Sequence, residues 1–262
     1  MKRCYVLFNT LIFLLIVAVA SAQQDESTGP IRIWYGTSQQ FGQLGQPQRW
    51  INILGNVQIA DLERLTYSIN GRIADTLSTG PDLHRLAASG DFNIELAWDQ
   101  LEVGSNRLTV TAYGRTGETY TAQTQLKITK GQSWPLPYHI DFSQVSDLQE
   151  VVQIVDGHWE LIRDGVHTVA PYYDRVLTMG DTSWSDYEAT ILLTIHDWTP
   201  SQPGPPTYNV SHFGVAMRWR GHHADGLQPG RKWFPLGAQG EFLLKQETDS
   251  CRWRILFDGR TQ

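Results

Sequence analysis

The chain has 262 residues, enough for one large domain or two ordinary ones with real cores. Its 21 Lys and Arg against 27 Asp and Glu leave a formal charge of -6. That balance gives no electrostatic reason to seek nucleic acid or an anionic membrane surface.

The first segment, MKRCYVLFNTLIFLLIVAVASAQQ, has a basic start at Lys2 and Arg3, an apolar run to Ala20 and the small-residue pattern Ala20-Ser21-Ala22. Residues 1–22 therefore read as a secretory signal peptide cut before Gln23, with an uncleaved membrane anchor as the alternative. Cys4 precedes the apolar run, so lipid attachment at the cut site is not supported. No later segment reaches the ~20 apolar residues that a spanning helix needs. Cleavage removes two positive charges and leaves Cys251 as the sole cysteine, so no intrachain disulfide is expected. The expected location is extracellular or at the cell surface.

Residues 23–30, QQDESTGP, are polar and end in Gly-Pro, as suits a flexible leader. From Ile31 onward, short alternating runs follow one another: IRIWYG, RWINILGNVQ, LERLTYSING, FNIELAWDQ, NRLTVTAYG and TYTAQTQLKIT. Period-two runs with turn residues between them predict an all-β sandwich over residues 31–130. Within it, Leu101-Glu102-Val103-Gly104-Ser105-Asn106 leads into a strand and a Gly-rich hairpin. This stretch resembles the late strands of bacterial immunoglobulin-like domains. The resemblance implies a leucine that plugs the core, a glycine at a tight corner and an asparagine bonded to its own backbone.

Composition changes at Gly131 to Pro137, and Trp159, Trp184, Trp198, Trp219, Trp233 and Trp253 all lie beyond it, which marks a domain boundary. The later runs HIDFSQV, QEVVQIVDGHWELIRDGV, RVLTMG, DYEATILLTIHDW, FGVAMRWRG, GEFLLKQ and CRWRILFDG again predict strands. Asp141-Phe142, Gly157-His158-Trp159, Trp184-Ser185-Asp186-Tyr187-Glu188 and Gly214-Val215 with Arg218-Trp219 resemble, in that order, features of concanavalin A-like and laminin G-like jelly rolls. That likeness spans residues 134–262. It implies a second β-sandwich whose closing strands would lie past Phe257, so a domain truncated at its C-terminus is expected.

The stretch HFGVAMRWRGHHADG, His212 to Gly226, concentrates possible ligand contacts. Continued strand alternation would place Val215, Met217 and Trp219 on one face and Arg218 and Arg220 on the other. Guanidinium groups beside tryptophans suit sugar hydroxyls, carboxylates and ring faces, so the candidate glycan-binding residues are Trp184, Trp198, Arg218, Trp219, Arg220 and His222. The alternative is that both arginines pair with acids such as Asp186 or Glu188. His222 and His223 point apart in an extended chain and share no metal-binding face. Calcium is the possible ion, with Asp181 or Asp186 as weak candidate ligands. Asp186 and Glu188 are also the weak candidates for a catalytic acid pair, since glycosidases of the retaining type need two nearby carboxyls. The Pro-rich loop 199–209, with Trp198 and Tyr208 at its flanks, can border a ligand groove or be a plain surface insertion. Asn209-Val210-Ser211 is a glycosylation sequon.

The sequence thus leads to a secreted, noncatalytic carbohydrate-binding protein whose partner is an extracellular or cell-surface polysaccharide or glycoconjugate. A concanavalin-like hydrolase and an adhesion or structural module that binds a surface protein are the alternatives.

Overall fold

The computed structural model describes residues 29–170, 174–195, 210–234, 237–245, 250–257 and 260–261. These residues are all-β, with no helix beyond three short 3-10 turns. No helix among them is long and apolar enough to cross a membrane, which says nothing of a β-barrel.

The first half contains β1 (Ile31–Ile33), β2 (Ser38–Phe41), β3 (Trp50–Val57), β4 (Leu62–Ile69), β5 (Asp75–Leu77), β6 (Asp91–Ala97), β7 (Gly104–Gly114) and β8 (Thr119–Ile128). All six alternating runs predicted there are strands. They form two sheets ordered β1-β3-β6 and β2-β8-β7-β4-β5. Alternation decides what lies between the sheets: Leu108, Val110 and Ala112 of β7 face inward and are fully buried. They meet Ile51 and Ile53 of β3 and Phe92, Ile94 and Leu96 of β6 in one core. Each of these side chains larger than alanine contributes roughly 1.5–3 kcal/mol by leaving water. Leu101 closes the end of this core, and Gly104 supplies a φ of 94° at the corner that follows.

The second half contains β9 (Gln153–Asp156), β10 (Trp159–Ile162), β11 (Gly165–Thr168), β12 (Val176–Thr178), β13 (Val210–Met217), β14 (Ala238–Lys245), β15 (Ser250–Phe257) and β16 (Arg260–Thr261). Strands β13 to β16 make a four-stranded antiparallel sheet, while β9 pairs with β12 and β10 with β11. Leu148, Val152 and Ile154 pack on Leu54 of β3, with Trp34 and Tyr35 at the margin, as a second small core. The two halves therefore share buried surface.

Three expectations for this half are corrected. HIDFSQV is not a strand: the Asp141 carboxylate accepts from the Ser143 N–H and folds Phe142–Gln144 into a 3-10 turn. In DYEATILLTIHDW, residues 188–195 carry no strand ladder, and Ile191, Leu192, Leu193 and Ile195 are exposed. A strand needs a partner for its backbone groups, and an apolar pattern cannot report whether one is there. Finally, β13 stops at Met217, because Arg218 takes a φ of 59° and breaks the alternation expected to run on to Arg220.

Three tyrosines tie these pieces together. The Tyr35 hydroxyl accepts from the Trp159 N–H, the Tyr138 hydroxyl donates to the Val151 carbonyl, and the Tyr67 hydroxyl accepts from the Gln228 amide. Burial pushes all three phenols upward; Tyr67, with Asp75 adding to the effect, is pushed up to about 12. An unfolded tyrosine ionises near pH ~10. Between those values the folded chain holds protons the unfolded chain has lost, so stability must fall as pH rises. The expected result is a denaturant midpoint that drops from about pH 10 upward, with tyrosinate absorbance lagging until unfolding. Tyr67→Phe should flatten part of the drop. A midpoint independent of pH across that window would contradict the assignment.

Candidate functional site

Alternation also gives the β1-β3-β6 sheet an outer face, and that face is polar. Asn52 of β3 and Asn93 and Glu95 of β6 lie on it, yet all are buried. Residues from β9 and from the segment 219–234 cover them, so polar side chains expected to meet water meet one another. The Gln48 side-chain amide donates to Asn52 Oδ1, Asn52 Nδ2 to Asn93 Oδ1, and Asn93 Nδ2 to the Val155 backbone carbonyl and the Asp156 carboxylate.

Arg85 stands at the centre of this layer with its side chain wholly buried. Its loop is set by Asp82, whose Oδ1 accepts from the N–H groups of His84, Arg85 and Leu86. The Arg85 Nε donates to Asp156 Oδ1 at 2.6 Å, and one terminal nitrogen donates to Glu95 Oε1 at 2.8 Å and the Gly230 carbonyl at 2.5 Å. Glu95 Oε2 accepts in turn from the Gly230 N–H. Burial by itself lowers a guanidinium, but Asp156 and Glu95 outweigh it and hold Arg85 charged. Burial raises Asp156 above the usual carboxylate range against the pull of Arg85.

His222 completes the cluster. Gly221, with a φ of 100°, lets the backbone pass so close to Gln48 and Trp50 that a Cβ would collide with them. The Trp50 indole N–H then donates to the His222 carbonyl. The ring is fully buried, edge-on to Trp219 and Trp233 at 5.4 and 5.7 Å. Its Nε2 lies 3.8 Å from Asp156 Oδ2 and 3.7 Å from Asp174 Oδ2, and its Nδ1 lies 3.9 Å from Glu95 Oε1. These distances exceed a hydrogen bond.

A second grouping lies at the surface. Trp134, Tyr138, Trp184 and Tyr187 form a half-buried aromatic strip, with successive ring centroids 3.9, 6.3 and 6.0 Å apart. The Trp184 indole rests against Gly180, where a Cβ would strike the ring, and its N–H donates to the Trp134 carbonyl. The Tyr187 hydroxyl accepts from the Arg218 N–H, and the Arg218 side chain is exposed.

Of the candidate residues, the structure brings Trp184 and Arg218 together through Tyr187. Arg220 is exposed, whereas Trp219 is only 6% exposed and offers no open ring face. His222 belongs to the buried cluster, and His223 lies against Phe234, their rings tilted by 33°. Trp198, Tyr208 and the sequon asparagine Asn209 lie outside the described residues. Asp181 spends one carboxylate oxygen on the Gln46 N–H and the other on the Ser183 N–H and hydroxyl. Asp186 and Glu188 are exposed and off any strand, and Asp186 has a φ of 54°, so spacing two no longer gives them a common face. Arg85, Asp156 and Asp174 were missed because they come from three separated loops and strand ends, and no local motif joins them.

No protein-family model matches the chain, and no curated protein matches it. Among solved structures, the endo-β-1,4-mannanase of Thermotoga petrophila aligns at 9% identity and a TM-score of 0.31, over 42% of this chain and 22% of the mannanase. The chain thus spans about a fifth of that enzyme's length. The surface glycan-binding protein SGBP-B of the Bacteroides ovatus mixed-linkage glucan utilization locus, solved with a heptasaccharide, aligns at 12% identity and a TM-score of 0.23, over 88% of this chain and 68% of that one. Likenesses at those scores carry no argument about fold or activity.

Proposed function

We propose that the chain is a noncatalytic carbohydrate-binding protein of the cell surface or extracellular space, with an immunoglobulin-like module followed by a concanavalin-like one. The observation that carries this reading is the aromatic strip from Trp134 through Tyr138 and Trp184 to Tyr187, which ends at the exposed Arg218. Half-buried rings held by backbone contacts suit the apolar faces of sugar rings, and a guanidinium at the end suits hydroxyls or a uronate carboxylate. The first sandwich then serves as spacer or second contact surface.

The test is a titration of tryptophan fluorescence with a panel of neutral and acidic soluble polysaccharides, with and without calcium. A saturable shift is expected, with affinity about tenfold or more weaker in Trp184→Ala. A flat response from folded protein across the panel would sink the reading. It would favour binding to a surface protein instead, which one feature supports: Phe242, Trp253, Ile255 and Phe257 leave an apolar face of the β13–β16 sheet open to solvent.

A further inference from the structure

The buried cluster holds more negative charge than the protein itself neutralises. Glu95, Asp156 and Asp174 bring three carboxylates, and among the described residues Arg85 is the one permanent cation whose guanidinium bonds to these carboxylates; that of Arg175 donates to the backbone carbonyls of Asp174 and Arg85. Counted with all three carboxylates ionised and the His222 imidazole uncharged, the set carries two negative charges in excess in a buried place. An unbalanced charge so deep is severely unfavourable unless something pairs with it.

The atoms left without partners show where that something sits. Among the described residues, Asp156 Oδ2, both ring nitrogens of His222 and one terminal nitrogen of Arg85 are buried and make no hydrogen bond. Arg85 and Asn93 already occupy Asp156 Oδ1, so Oδ2 is the oxygen left to face His222. One oxygen of Asp156, one of Asp174 and a nitrogen of His222 lie within 4.8 Å of one another. The two separations from Nε2, 3.7 and 3.8 Å, are too long for hydrogen bonds but close to the spacing of ligands around one ion. Ligands about 2.1 Å from a common centre, at tetrahedral or trigonal angles, stand roughly 3.4–3.6 Å apart.

We propose that Asp156, Asp174 and His222 bind one divalent first-row cation, zinc or manganese in chemistry. Imidazole nitrogen with two carboxylates suits such ions, whereas calcium selects oxygen donors in greater number. A bridging water would satisfy the same lone pairs but would leave the two excess charges in place. One divalent ion cancels them. Arg85 becomes the residue that orients Asp156. Trp219 and Trp233 wall the ring edgewise. Because β9, the approach to β12 and the segment after β13 each supply one ligand, the ion joins parts of the chain far apart in sequence.

The experiment uses the full chain without a histidine tag, stripped with chelator and then dialysed separately against zinc, manganese and calcium. About one zinc or manganese per chain should be retained. Melting should rise by about 5–10 °C at a hundredfold excess over Kd. Calcium should do neither. Asp174→Asn and His222→Gln should weaken zinc binding at least about a hundredfold while circular dichroism confirms the fold. Two results would overturn the proposal: stripped wild-type protein that takes up neither zinc nor manganese, or binding that persists unchanged in the folded variants. Should both variants unfold, X-ray absorption at the zinc edge of the wild type decides, since a zinc shell lacking imidazole nitrogen excludes this site.

Discussion

Arg85→Ala is expected to destabilise the fold by about 3–5 kcal/mol, lowering the melting temperature by roughly 10 °C or more. The reason is not the value of the ion pairs themselves. Asp156 and Glu95 are both buried, and each would be left in a low-dielectric interior with its main partner gone. The Gly230 carbonyl would lose its donor as well. Arg85→Lys should recover only part of the loss, because one ammonium cannot reproduce the angle between the Nε contact to Asp156 and the terminal-nitrogen contact to Glu95. Adding Glu95→Gln to Arg85→Ala should give less than the sum of the two single losses, since the second change removes a charge the first has stranded. Chemical denaturation of the wild type, the three single variants and the double variant in the presence of chelator measures all of this. Full additivity, or a loss of under about 1 kcal/mol for Arg85→Ala, would show that the charge layer contributes little.

How far the sequence leads depends on whether the information is local. Alternation in NRLTVTAYG and FNIELAWDQ places β7 and β6 correctly, because a period of two reports which side chains share a face. The same alternation says Asn93 and Glu95 lie opposite Phe92 and Ile94, and they do; what it cannot say is that another segment will cover that side. In the second half the runs in FGVAMRWRG, GEFLLKQ and CRWRILFDG become β13, β14 and β15, but the expected strand near Tyr187 has no ladder. Its pattern was apolar enough; its partner was never visible in a linear reading. The site fared the same way. Arg218 and Trp184 could be nominated from residue type, whereas the cluster around His222 draws Asp156 and Asp174 from 66 and 48 positions away, and only the tertiary fold brings them within reach.

Asn106→Ala is the second large effect, expected to remove about 2–4 kcal/mol of stability. Asn106 is wholly buried at the start of β7, and all its hydrogen-bonding capacity is in use. Its Oδ1 accepts from the Glu102 N–H and the Asn70 amide, while its Nδ2 donates to the Glu102 carbonyl at 2.8 Å and grazes the Gly104 carbonyl at 3.5 Å. The side chain thus acts as a surrogate backbone for the turn between Leu101 and β7, the role that the resemblance of this stretch to bacterial immunoglobulin-like domains implied. Truncation leaves the donor and the acceptor of Glu102 without these partners, and the corner at Gly104 loses its brace. Two controls separate these contributions. Asn106→Asp keeps the acceptor toward Glu102 N–H and Asn70 but sets an anion against the Glu102 carbonyl, so it should be no better than Ala at neutral pH and should improve as the new carboxyl protonates in acid. Asn70→Ala removes the amide that reaches Asn106 and the oxygen that accepts from the Arg107 N–H, and it places alanine at a φ of 51°; because Asn70 is exposed, water replaces both bonds and the loss should still be smaller than that of Asn106→Ala. Urea denaturation of the three variants decides the matter: equal losses for Asn70→Ala and Asn106→Ala would mean that the contact between strands, and not the braced corner, carries the stability.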